Sequence, residues 1–385
     1  MKKRTAYILI LLQIILATSI GVFLVISKMS SIEKNLYPVQ DDGKWGYIDN
    51  TGKLVIEPHF DMADEFYDGC AIVQVKDIGV EEAGVKYGVI DTSGKMVVKP
   101  DYTYICKYDE GITGALVEND EAAYNFQYCL LNTKGEVLYN LPEDIEIISM
   151  LFDGIDIPTQ SEGMISVRNV YTELYGYMDS HGKMIIPCQY YEGYPYTEGL
   201  ALVRTQEGYQ YIDKNGKVII NANKYLYCRT FSEGLAAVGI QENDQSMVIY
   251  GYIDTKGNMK IEPQFSKAYA FSEGLAKVCI GEGINQFSTG YIDQTGAYRI
   301  GPNAKDNIEE TSFSESLAAI DDGSGGYMDK EGKLVINPVV VKAEDNYIKN
   351  NKAGEFRGGI AKVSLSDGSV GYIDKTGTYI WQPSK

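Results

Sequence analysis

Two histidines, six cysteines and a surplus of carboxylates are the residues of this 385-residue chain whose types could do chemistry. Imidazole is the usual proton carrier near neutral pH and a common metal ligand. His59 follows Pro58 where other copies of the same phrase place Asp101, Gln189 or Gln264, and His181 lies in a turn with Asn50, Thr255 or Lys330 nearby in other copies. Both read as exposed, variable positions. Cys70, Cys106, Cys129, Cys188, Cys228 and Cys279 fall 36, 23, 59, 40 and 51 residues apart with no CxxC pair, a spacing that excludes a zinc site. Free buried thiols are expected, with disulfides as the competing state.

Carboxylates bind calcium, or hydrolyse a glycosidic bond as a pair. Asp49, Asp91, Asp179, Asp213, Asp254, Asp293, Asp329 and Asp374, however, recur once per repeat. A residue type fixed at one slot is explained by that slot's geometry, here a turn whose backbone the Asp side chain caps. No D-x-[DN]-x-[DN]-G loop, G-x-S-x-G elbow or phosphate-cradling glycine loop occurs. The sequence therefore nominates no catalytic residue, no cofactor site and no metal ligand, and a protein that is not an enzyme is expected.

The aspartates belong to a phrase, Gly-Tyr-Ile-Asp-x-x-Gly-Lys, beginning at Gly46, Gly88, Gly176, Gly251, Gly290, Gly326 and Gly371, with degenerate copies at Gln210 and Cys129. Starts are 34 to 47 residues apart, the period of β-repeat arrays, and give about nine units. A second phrase, Phe-Ser-Glu-Gly-Leu-Ala-x-Val, alternates with it at Phe231 and Phe271, with variants at Phe66, Gln160, Tyr196, Phe313 and Phe356. Strands Tyr47 to Asp49 and Lys53 to Glu57 should pair across a glycine turn. Pro58, Pro100, Pro187, Pro263 and Pro338 should end the second strand. A weaker segment such as Gln264 to Tyr269 is expected as an outer edge.

Runs such as Leu54-Val55-Ile56 and Leu334-Val335-Ile336 are continuously apolar, so both sheet faces need cover. Only stacked neighbouring units supply it. The expected fold class is all-β: a tandem array of about nine three- to four-stranded antiparallel meanders, propeller-like blades in a closed ring or an open spiral or solenoid. Tyr47, Tyr177, Tyr211, Tyr252, Tyr291, Tyr327 and Tyr372 share one slot. They are expected in core or cross-strand packing rather than as stacking platforms for sugars.

Tyr7 to Ile26 is uncharged over 20 residues, enough for a helix of about 30 Å. Lys2, Lys3 and Arg4 precede it, which places the short flank in the cytoplasm. The expected organisation is a basic flank (1–5), one transmembrane helix (6–27), a linker (28–36) and the repeats (37–385). A single-pass cell-membrane protein with its repeats extracytoplasmic is therefore expected. A secretory signal cleaved near Ala17-Thr18-Ser19 is the alternative. The net charge of −18 argues against a nucleic-acid partner.

Lys44 to Pro58, KWGYIDNTGKLVIEP, resembles the WG-repeat family of bacterial proteins, whose units carry Trp-Gly-Tyr-Ile-Asp-x-x-Gly-Lys followed by an apolar strand and proline. Weaker matches extend over 37–385. The family's tryptophan stands only at Trp45; Tyr87, Tyr175 and Tyr250 replace it in some copies, and Thr289, Gly325 and Val370 in others. The resemblance implies a binding or scaffold role in the cell envelope and supplies no catalytic residue. The expected partner is a protein or cell-envelope polymer, taken by a concave surface and variable loops at Asp77 to Lys86, Glu118 to Tyr128, Gln241 to Ile249 and Gly281 to Thr289. The alternatives are a secreted wall-associated binding protein and an envelope hydrolase with an acid cluster in a propeller channel.

Overall fold

One repeat shows how the two phrases fold. Lys267–Ser272, Leu275–Ile280, Ser288–Asp293 and Tyr298–Asn303 pair in that order as an antiparallel sheet, and these positions are called strands a to d. The computed structural model describes residues 35–75, 86–119, 126–147, 151–152, 155–156, 160–241, 248–281, 288–303, 312–320, 326–337, 352–364 and 370–382. Among them every regular element is a strand, and nine sheets of three or more strands follow one another. The first sheet, Leu36–Asp41, Lys44–Asp49 and Leu54–Phe60, has strands b, c and d only.

Two local expectations change. Gln264 to Tyr269 is not an outer edge of its own unit. Strand d of the sixth sheet, Met259–Phe265, includes its first two residues, and after Ser266 strand a of the seventh begins at Lys267. Nor do Pro58, Pro100, Pro187 and Pro263 end strand d; Pro338 lies outside the described residues. Pro58 lies inside Leu54–Phe60, where the register shifts between Trp45↔Phe60 and Tyr47↔Ile56; at such a bulge the missing donor costs no ladder bond. Gly46 lies against that bulge, and a Cβ there would come 2.4 Å from the Ile56 carbonyl oxygen and 2.7 Å from the Pro58 nitrogen. The first glycine of the phrase is thus a packing requirement.

Stacking of the sheets rests on the slot tyrosines. Tyr47, Tyr177, Tyr211, Tyr252 and Tyr327 are fully buried. Their hydroxyls donate to the carbonyls of Asp64, Tyr194, Arg229, Tyr269 and Gly354 in the following sheet at 2.7 to 2.9 Å. Each ring also meets an aromatic of that sheet, as Tyr252 meets Phe271 edge-on with centroids 5.0 Å apart. Burial of a tyrosine requires a partner for its hydroxyl, and the neighbour supplies it. The expectation of packing tyrosines therefore holds, with the contact running between sheets.

Tyr372 of the ninth sheet closes the series: its hydroxyl donates to the Pro38 carbonyl of the first sheet at 2.9 Å. Tyr37 returns a bond to the Arg357 carbonyl at 2.6 Å, and Arg357 reaches Glu65 of the second sheet at 2.9 Å. Leu36–Lys385 is therefore an all-β nine-bladed propeller, a closed ring rather than a spiral.

The expected transmembrane helix is not upheld. Among the described residues no helix is long and apolar enough to cross a membrane, and the segment 6–27 lies outside the described residues. An apolar run of sufficient length is necessary for a span and not sufficient for one. The single-pass membrane placement, with its cytoplasmic N-terminus and extracytoplasmic repeats, falls with the helix.

Candidate functional site

Antiparallel pairing puts the a–b and c–d turns at one end of each blade and the b–c loops and d–a connections at the other. Leu275 at the start of strand b pairs with Asp293 at the end of strand c, so the first set shares one face. That turn face repeats two devices. In the c–d turn, Asp293 Oδ1 accepts the amides of Thr295 and Ala297 at 2.8 and 3.2 Å and the Thr295 hydroxyl at 2.5 Å. The Thr295 hydroxyl holds this carboxyl below its ordinary range; desolvation opposes it, and the two amides and Arg299 add to the lowering. Thr51 does the same for Asp49, and Thr376 for Asp374. Turn capping by the repeated aspartates is as expected.

The second device was not legible. The a–b turn is a two-residue hairpin in which both residues have positive φ, for example Glu198 at 54° and Gly199 at 80°. Glycine tolerates this; glutamate rarely adopts it. Yet an acid stands there at Asp68, Glu110, Glu162, Glu198, Glu233, Glu273 and Glu315. Each carboxylate accepts the turn amide of the next blade, at Gly111, Gly163, Gly199, Gly234, Gly274, Ser316 and Gly359, at 2.7 to 3.0 Å. Lys214, Lys330 and Lys375 add ammonium contacts to the same glutamates at 3.0 to 3.3 Å. Desolvation pushes the Glu273 carboxyl up, but Lys330 and the Ser316 amide outweigh it and leave it below its usual value. The sequence signal was an acid at this turn position in every copy of the second phrase except the one at Phe356, where Gly358 stands; turn propensity alone favours Asn or Asp there.

The remaining candidates do not assemble a reactive centre. His59 and His181 are both exposed; His59 Nδ1 lies 2.6 Å from the Glu57 carbonyl oxygen. All six cysteines are free thiols. Burial pushes Cys70 and Cys129 up to about 11 and Cys228 to about 12, which keeps them protonated and weakly nucleophilic at neutral pH. Asp109 is raised by burial and by the neighbouring Glu110 and Asp68, but both neighbours are already committed to blade-to-blade bonds. Among the described residues no group of three metal-ligating side chains converges.

The loop face differs. The b–c connections run from two residues, Asp42 and Gly43, to the ten of 76–85. The four loops nominated as recognition elements all lie here, with their centres outside the described residues. The exposed aromatics of the described residues are Tyr104, Phe126, Tyr171, Tyr191, Tyr227 and Tyr298. All but Tyr298 lie in loop-face connections or at the loop-face ends of strands, over blades three to six. None occupies the repeated tyrosine slot, so sequence periodicity could not single them out.

Residues 45–77, 87–120, 175–209, 211–242 and 250–283 match the family model described as WG containing repeat. Five stretches of the chain are thus similar to a WG repeat. Each match runs through strands c and d of one blade and a and b of the next, so a WG repeat straddles two sheets. No curated protein sequence matches the chain. Among solved structures it is similar to one described as the eukaryotic initiation factor, at 11% identity over 90% of this chain and 95% of that one, with a TM-score of 0.57. BamB from Moraxella catarrhalis follows at 10% identity, 89% and 97% coverage and a TM-score of 0.41. At 11% identity the likeness to the first speaks to fold alone.

Proposed function

We propose that this WG-repeat propeller is a non-catalytic scaffold that binds a protein or polymer partner on its loop face. The supporting observation is the division of surface chemistry. Turn-face acids are engaged in capping and blade-to-blade bonds, whereas exposed tyrosines and a phenylalanine gather on the loop face over blades three to six. Rigid aromatics at low entropic cost, on loops that vary while the scaffold repeats, are what binding surfaces use.

The test is affinity capture with the full chain, comparing Tyr171→Ser/Tyr191→Ser/Tyr227→Ser on the loop face with Lys256→Ala/Thr295→Ala on the turn face. A partner lost with the first variant and kept with the second supports the proposal. Loss through the turn-face variant alone, or turnover of the captured molecule by the purified chain, overturns it.

A further inference from the structure

We infer that the cleft between blades five and six on the loop face is a binding site for a neutral saccharide. This rests on the loop face being the binding face and names its ligand class. The cleft holds about 390 Å³ and is lined by Arg204, Tyr209, Leu226, Tyr227, Gln241 and Val248, a size suited to one or two sugar rings.

Its walls come from two blades. Blade five contributes Arg204, whose Nη1 donates to Glu192 at 2.7 Å and whose guanidinium lies 5.7 Å from the Tyr209 ring centroid. Glu192 offsets the guanidinium's charge, and the lining Gln241 amide adds a neutral donor and acceptor, so the cleft neither demands nor repels a formal charge. Sugar hydroxyls, which donate and accept at once, match such a pair.

Blade six contributes Tyr227, 53% exposed, with its ring centroid 6.3 Å from that of Tyr250. Tyr227 pairs with Gly239. A Cβ on Gly239 would come within 2.7 Å of Val248 Cγ1 and 3.0 Å of Tyr250 Cε1. The corresponding residue is Arg204 in blade five and Cys279 in blade seven. In this blade a side chain has been given up where two tyrosines and a valine meet. An exposed ring braced by a second ring is a platform for the apolar face of a pyranose, and Arg204 and Gln241 in the same cleft address its rim.

The experiment presents the full chain with an array of neutral gluco-, manno-, xylo- and chito-oligosaccharides, acidic oligosaccharides and aromatic peptides, and titrates any hit by calorimetry. Binding of a neutral oligosaccharide is expected. Tyr227→Ala should weaken it by about tenfold or more, and Tyr227→Phe by no more than about threefold, since stacking needs the ring and not the hydroxyl. Gly239→Ala should weaken it by displacing Tyr250, and Lys256→Ala on the turn face should leave it unchanged, all with wild-type melting temperatures. Should Gly239→Ala fail to fold, the exposed Tyr227 pair decides alone. Absence of neutral-sugar binding, preference for acidic sugars or peptides, or equal binding by Tyr227→Ala overturns the assignment. A protein partner captured through the loop face with no sugar bound would sink the saccharide and leave the binding-face proposal standing; loss of both sinks both.

Discussion

The two ends of a blade are built by the same four strands yet obey opposite rules. On the turn face seven successive acids at one slot hold the next blade's amide, and the adjoining aspartates cap one kind of turn. On the loop face the b–c connections range from two to ten residues. The difference locates the constraint: sequence is held fixed where a neighbour's backbone must be met and released where only solvent or a partner is met.

Substitutions can break or sharpen that contrast. The largest loss is expected midway between the faces, where Tyr252→Ala removes a fully buried ring and its bond to Tyr269; denaturant titration should show a cost of about 4 kcal/mol. Next is Glu198→Ala, which leaves the Gly234 amide without its carboxylate, at about 1.5 kcal/mol. Glu198→Gly should cost less than Glu198→Ala, because glycine relieves the positive φ. Equal costs for the two would show that the turn stores no strain. Tyr372→Phe deletes one bond at the closing seam and should cost about 1 kcal/mol.

A pH series refines the turn-face side. Asp49, Asp293 and Asp374 are held below their ordinary values in the folded state. Their contribution is therefore complete above the unfolded carboxyl pKa of about 4 and is lost as pH falls through the lower folded values. Unfolding midpoints should drop below about pH 4, and Asp293→Asn/Asp374→Asn should flatten that drop. The smallest effect belongs to the loop face. Tyr171→Ser should change stability by under about 0.5 kcal/mol, and a cost matching that of Glu198→Ala would erase the distinction between the faces.

What the sequence disclosed and concealed follows the reach of each interaction. Asp49 acts on Thr51 and Lys53, within its own turn, so the phrase itself announces the cap. The shared tyrosine slot likewise announced packing. Glu198 acts on Gly234, and Tyr372 on Pro38, 334 residues away; no local pattern encodes a partner one blade or one full circuit distant. Strand a was expected three residues early, at Gln264 to Tyr269, because only Ser266 separates it from the preceding strand. Tyr171, Tyr191 and Tyr227 were overlooked because they belong to no recurring position. The proposed membrane span came from apolar length, which carries no information about packing.

The bond from Tyr372 to Pro38 fixes a number. In a closed circle of nine wedges each must turn the chain by about 40°. An open stack could add or shed a copy and keep every surviving contact, whereas here one copy more or fewer would misalign the seam and force all the other angles to change. Divergence by gaining or losing copies is therefore closed to this molecule. Change must accumulate instead in segments that leave the wedge angle untouched, such as the tips between strands b and c.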